Sequence, residues 1–216
     1  KSVYARHVSK LIVGIGRMAK TAKFSFDELN DDVKRAMLGI LHYACEHGLL
    51  LGSSGQPLAN VFWALSQMGV DFWVDLTPEI RSSLMAIVYK ECKEDVDFTD
   101  QALGSVALAL PKLGILWNKI PLAVQSSLST ALCRVCLRVG DKEVSPQAIG
   151  NLLYALGMMN VVRLQLTDRV ALAIEIAIRR LCRRNEFKND DAVQVVMGLG
   201  LMQYTWKGDD DTLYGL

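Results

Sequence analysis

Leu58-Ala-Asn-Val-Phe-Trp-Ala-Leu-Ser-Gln-Met68 and Ile149-Gly-Asn-Leu-Leu-Tyr-Ala-Leu-Gly-Met-Met159 lie over one another without a gap, and that agreement decides the fold. In both, the first, fourth, eighth and eleventh residues are apolar, which at 100° per residue makes one stripe along a helix. Three further stretches take the same template: Val8 to Met18, Leu103 to Leu113 and Ala192 to Met202. Their opening residues are separated by 50, 45, 46 and 43 positions, so the chain reads as a repeat with a period near 46. The seventh residue is small in every copy: Gly14, Ala64, Ala109, Ala155 and Gly198. That predicts close approach of a neighbouring helix, with Ala155→Leu destabilising by overpacking.

Between these A helices lie four B helices. Each opens on an apolar pair four residues apart: Leu29 and Val33, Leu76 and Ile80, Ile120 and Val124, Leu166 and Val170. Thr77 before Pro78 and Thr167 before Asp168 are start signals, and Ser145 before Pro146 starts the fourth A helix in the same way. The predicted spans are 3–19, 56–69, 100–114, 146–160 and 190–204 for A, and 28–48, 77–94, 120–139 and 166–185 for B. The expected fold is all-α, a right-handed α-solenoid of about four and a half two-helix units forming one domain over 1–216.

Composition agrees with a folded helical chain. Apolar residues make up 51% and charged residues 22%, and charge interrupts every long apolar run, so no membrane partner is expected. The net charge of +1 speaks against strong non-specific binding to nucleic acid. Cys45, Cys92, Cys136 and Cys182 each fall 16 residues after the opening of their B helix. Equivalent positions in stacked units lie beyond disulfide reach, so these are expected to be buried, reduced and metal-free. Cys133 to Cys136 spells CxxC inside a helix, without the strand or second pair of a redox or zinc site. His42, Cys45 and His47 crowd into six residues with no distant fourth ligand, and Gly14-Ile-Gly16 lacks the rest of a dinucleotide fingerprint. No catalytic residue, metal or cofactor is assigned, and the expected function is not enzymatic.

The candidate site is the solvent side of the A helices. Two residues before each opening position stand Arg6, Gln56, Gln101, Gln147 and Asp190. Two after it stand Lys10, Asn60, Ser105, Asn151 and Gln194. Nine after it stand Arg17, Gln67, Lys112, Met158 and Leu201. These fall within about 40° of one another, opposite the core stripe. Beside them lie Trp63 and Tyr154. Amides and hydroxyls suit the edges of unpaired bases, and the two aromatics offer stacking. The same ridge is also what an exposed helix needs, with Gln and Asn bonding four residues apart, or what a protein-binding groove presents. Basic residues collect late in the B helices, densest at Arg179, Arg180, Arg183 and Arg184, which exceeds what a helix C-terminus requires and suggests phosphate contact through Arg180, Arg183 and Arg184.

Leu58 to Gly69 and Gln147 to Gly157 resemble the first helix of octotricopeptide and heptatricopeptide repeats, which accompany RAP domains and have relatives in FAST-kinase-like proteins. The likeness is sharp in the second and fourth units. Elsewhere Ser105 stands for Asn, and Pro111 is expected to interrupt the third A helix. The resemblance implies a mitochondrial or plastid protein that binds an organellar transcript or ribosomal RNA, beside neighbouring proteins of a large assembly. It attaches best to Asn60 and Asn151 with Gln56 and Gln147. The competing expectation is an armadillo or HEAT-like scaffold that contacts proteins and no RNA.

Overall fold

The computed structural model describes residues 2–51, 54–93, 98–140 and 143–205. Arg6's side chain and residue 94 lie outside them. Nine α-helices and no strand occur among the described residues: α1 (Ser2–Ala22), α2 (Asp31–Glu46), α3 (Gln56–Gln67), α4 (Pro78–Lys93), α5 (Asp100–Lys112), α6 (Leu122–Leu137), α7 (Pro146–Met158), α8 (Asp168–Arg183) and α9 (Asn189–Leu201). None is long and apolar enough to cross a membrane. The odd-numbered helices are the A helices and the even-numbered ones the B helices.

Local chemistry sets the boundaries. The side chains of Thr99, Ser145 and Thr167 accept hydrogen bonds from the amides of Ala102, Ala148 and Val170 at 3.1, 3.3 and 3.3 Å, each satisfying one orphan donor of a first turn. Gly69, Gly114, Asn160 and Gln203 end the A helices in the left-handed region, and Lys23 ends α1 in the same way. That reversal lets the amides of Phe24, Val70, Ile115, Val161 and Tyr204 close back on the carbonyls of Ala19, Leu65, Leu110, Leu156 and Leu199 at 2.9–3.2 Å. Pro111 does not interrupt its helix. It sits in the last turn of α5, which runs on to Lys112.

Each turn then fastens to the next unit. The backbone amides of Phe26, Phe72, Trp117 and Arg163 donate to the carbonyls of Met68, Leu113, Met159 and Met202 at 2.7, 3.0, 3.1 and 2.9 Å. The four donors are spaced 46, 45 and 46 residues apart.

These turns correct the register of the first unit. Aligning Phe24 with Val70 sets Ile12, not Val8, opposite Leu58. Burial agrees: Ile12 and Ala19 are in the core, whereas Leu11 and Met18 of the expected stripe are 49% and 64% exposed. Helix α1 is longer than the other A helices and carries Leu11 and Met18 directly beside the buried Ile12 and Ala19, so the gap-free alignment slid by one turn. In the second, third and fourth units the expected stripe is buried throughout.

The A helices pack on one another in the order α1, α3, α5, α7, α9, and the B helices in the order α2, α4, α6, α8, less extensively. Small side chains explain the difference. A Cβ on Gly16 would stand 2.8 Å from Ala64, one on Gly157 would stand 2.6 Å from Leu201 Cβ, and one on Gly198 would stand 2.4 Å from the carbonyl carbon of Leu153. Ala64, Ala109 and Ala155 are buried as the small position predicts, but Gly14 has nothing within 4 Å and Gly16 takes its place against α3. Without such glycines the B helices stand apart, leaving grooves of about 670 Å³ between α6 and α8 and about 500 Å³ between α4 and α6. The A helices thus form the tighter layer, called inner below, and the B helices the looser, outer one.

Cys45, Cys92, Cys133 and Cys136 are buried and unbridged. Burial pushes the thiols of Cys45, Cys92 and Cys136 up to about 12. Cys182 departs from the expectation and is only half-buried, because no further B helix covers α8 among the described residues.

Candidate binding surfaces

The inner ridge is built as its helical spacing requires. On α3, Gln56 Nε2 donates to Asn60 Oδ1 at 2.8 Å, which fixes the amide pair in one orientation. Between α5 and α7, Gln101, Ser105, Gln147 and Asn151 converge on one cleft of about 410 Å³. Gly104 brings the two helices together there, its missing Cβ falling 3.5 Å from that of Asn151. Asp100 closes one end by accepting from the amide and hydroxyl of Ser145 at 3.0 and 2.7 Å. Glu143 stands at the same cleft.

The remaining candidates are spread more widely. Gln194 is half-buried over Gly150, in the seam between α7 and α9. Trp63 is partly buried and packs on the core, and Tyr154 is half-buried with its backbone amide against Gly198. Gln67 is half-buried beside Ser66, whose Oγ it donates to at 3.4 Å. Lys112 is exposed at the end of α5. Lys10 is exposed too, and the corrected register puts Gly14 in the place equivalent to Asn60 and Lys10 in the place equivalent to Gln56, so Lys10 adds a cation to the ridge.

Outside α1, which carries Lys10, Arg17 and Lys20, charge is thin on this side. Neither α3 nor α7 carries a charged residue, α5 has Asp100 and Lys112, and α9 opens with Asp190 and Asp191. From α3 to α9 the inner ridge is therefore a hydrogen-bonding surface and not a cationic one.

The arginines at the far end of the B helices are largely engaged within the protein. Arg180 donates to the carbonyls of Cys136 and Arg138 at 3.1 and 2.7 Å and pairs with Glu143 at 3.3 Å. Arg184 grips the other oxygen of Glu143. One unit earlier Arg134 donates to the carbonyl of Cys92, and Arg138 to that of Phe98 at 3.1 Å. Arg134 and Arg180 thus cap the C-terminus of the preceding B helix, where the dipole is negative, while Arg138 and Arg184 hold the segments that follow it. Arg183 is exposed.

Sequence reading passed over the outer grooves. Arg81 and Lys119 line the groove between α4 and α6, and Arg134, Arg138 and Arg169 that between α6 and α8. The one available signal was the absence of any Asp or Glu from Leu122 to Leu137. Comparison of the chain with protein-family models, with curated proteins and with solved structures gives no match.

Proposed function

We propose that this chain is a non-enzymatic RNA-binding array, a right-handed α-solenoid with a period near 46 residues. It would act in organellar RNA metabolism, most simply in mitochondria, or as a component of the mitochondrial ribosome. The observation that carries the reading is the convergence of Gln101, Ser105, Gln147 and Asn151 from two successive units on a single inner cleft. Amide and hydroxyl groups at repeated heights present donors and acceptors at the spacing of successive units, which suits base edges and the 2′-hydroxyl. The organellar setting rests on the resemblance of Leu58 to Gly69 and Gln147 to Gly157 to octotricopeptide and heptatricopeptide repeats.

The ridge's low charge sharpens the proposal. With Lys112 the lone cation of α3, α5, α7 and α9, binding there depends on hydrogen bonds to bases more than on phosphates. Selection from a pool of random 20-nucleotide single-stranded RNAs, read by fluorescence anisotropy, tests it. The expected result is an enriched sequence whose advantage over the starting pool disappears in the Gln147→Ala, Asn151→Ala double variant. Absence of any enriched sequence, or enrichment that ignores those two substitutions, overturns the reading.

A further inference from the structure

The two outer grooves occupy the same place in successive units. Phe72, Met85 and Val124 give the first an apolar lining, and Trp117, Leu137 and Val170 give the second one. Their cations are Arg81 and Lys119 in the first and Arg134, Arg138 and Arg169 in the second. No carboxylate lines either groove among the described residues. Apolar side chains stand open beside them: Leu122 is 81% exposed at the start of α6, and Trp73 is 41% exposed with the Arg81 guanidinium 5.6 Å from its ring. Isolated exposed apolar residues need no explanation, but here they flank a repeated cleft whose charge has one sign.

We infer that the outer face of the B layer is a docking surface for an acidic amphipathic segment of a protein partner, laid across the grooves on either side of α6. Apolar anchors of such a segment would enter beside Leu122, Leu137 and Val170, and its carboxylates would meet Arg169 and Lys119 at the rim. The charge favours an acidic partner over a basic one, and the apolar floor favours a peptide over a phosphate backbone, which has nothing to bury there. Arg134 and Arg138 already hold carbonyls of the preceding unit, so Arg169, exposed on the first turn of α8, is the cation most open to a partner. This surface lies on the opposite layer from the amide cleft and stands independently of the RNA reading.

A phage-displayed library of random 16-residue peptides, panned on the folded chain after nuclease treatment, tests the inference. The expected sequences combine Asp or Glu with Leu, Ile or Phe. A synthetic copy of one should bind more weakly as salt rises, lose at least tenfold in affinity to Arg169→Glu and to Leu122→Asp, and keep its affinity for Arg169→Lys and Gln147→Ala. Both residues are exposed, so an unchanged melting temperature should accompany each loss. The inference is overturned if panning enriches nothing above a control protein, if it enriches basic or uncharged peptides, or if the acidic ones ignore Arg169→Glu. A groove that instead takes single-stranded oligouridine, with Arg169→Glu abolishing that binding, also overturns it.

Discussion

Arg180 reaches back 44 residues to donate to the carbonyl oxygen of Cys136 at 3.1 Å. Its guanidinium also holds Glu143 and the Arg138 carbonyl, so one side chain ties α8 to the end of α6 and to the segment leading into α7. Truncation leaves those acceptors without their charged donor. Arg180→Ala should therefore destabilise the chain by about 2 kcal/mol, and Arg180→Lys should recover only part of it, since an ammonium lacks the planar fork. Urea denaturation of the two variants measures this, and wild-type midpoints for both would show the contact to be dispensable.

Glycines of the A layer separate into two kinds. A Cβ on Gly198 runs into the Leu153 backbone, whereas Gly14, in mid-helix, has open space around it. Gly198→Ala should cost about 1–3 kcal/mol through overpacking. Gly14→Ala should stabilise by roughly 0.5–1 kcal/mol through helix propensity. Ala155→Leu, at a fully buried site, belongs with the first kind. Thermal melts of the three variants that shift in the same direction would contradict the packing scheme.

The buried thiols fix a pH dependence. Burial raises Cys92 and Cys136 from the ordinary 9.0 to about 12, so between those values the unfolded chain releases protons that the folded chain retains. The folded state then binds more protons and loses stability as pH climbs through that window, by roughly 1 kcal/mol per pH unit for each thiol, while the full contribution is present below pH 9. Tyr204, raised by burial and by the Glu175 carboxylate that accepts its hydroxyl, acts in the same sense. Denaturant titrations across this range should show the decline, and its slope should fall in a Cys92→Ala, Cys136→Ala variant.

The turn amides of Phe26, Phe72, Trp117 and Arg163 lie outside the α-helices yet donate to the next unit. Hydrogen exchange at these four should be slowed to the level of the neighbouring A helices. Exchange at the rate of an open loop would mean that the units are not fastened there.

Most of the architecture could be read from residue spacing, because the A helices of the second, third and fourth units put the same four stripe positions in the core. The first unit could not, since α1 has a broad apolar face and only the turn at Phe24 fixes its phase. The arginines are a different case. A charge near a helix end was weighed against its own helix, while Arg134 and Arg180 serve the C-terminus of the preceding B helix, a relation set by stacking and invisible in local sequence. The outer grooves were missed because they are a gap between helices. Helical phase alone brings the amides of α3, α5 and α7 to one side, and the cleft that joins those of α5 and α7 follows from the close approach at Gly104.

The unequal spacing of the two layers has the geometry of a lever. Were a segment to fill the space between α6 and α8, the glycine and alanine contacts of the A layer would serve as its fulcrum, and a change in the angle between those two units would alter how far Gln101 stands from Gln147 at the amide cleft.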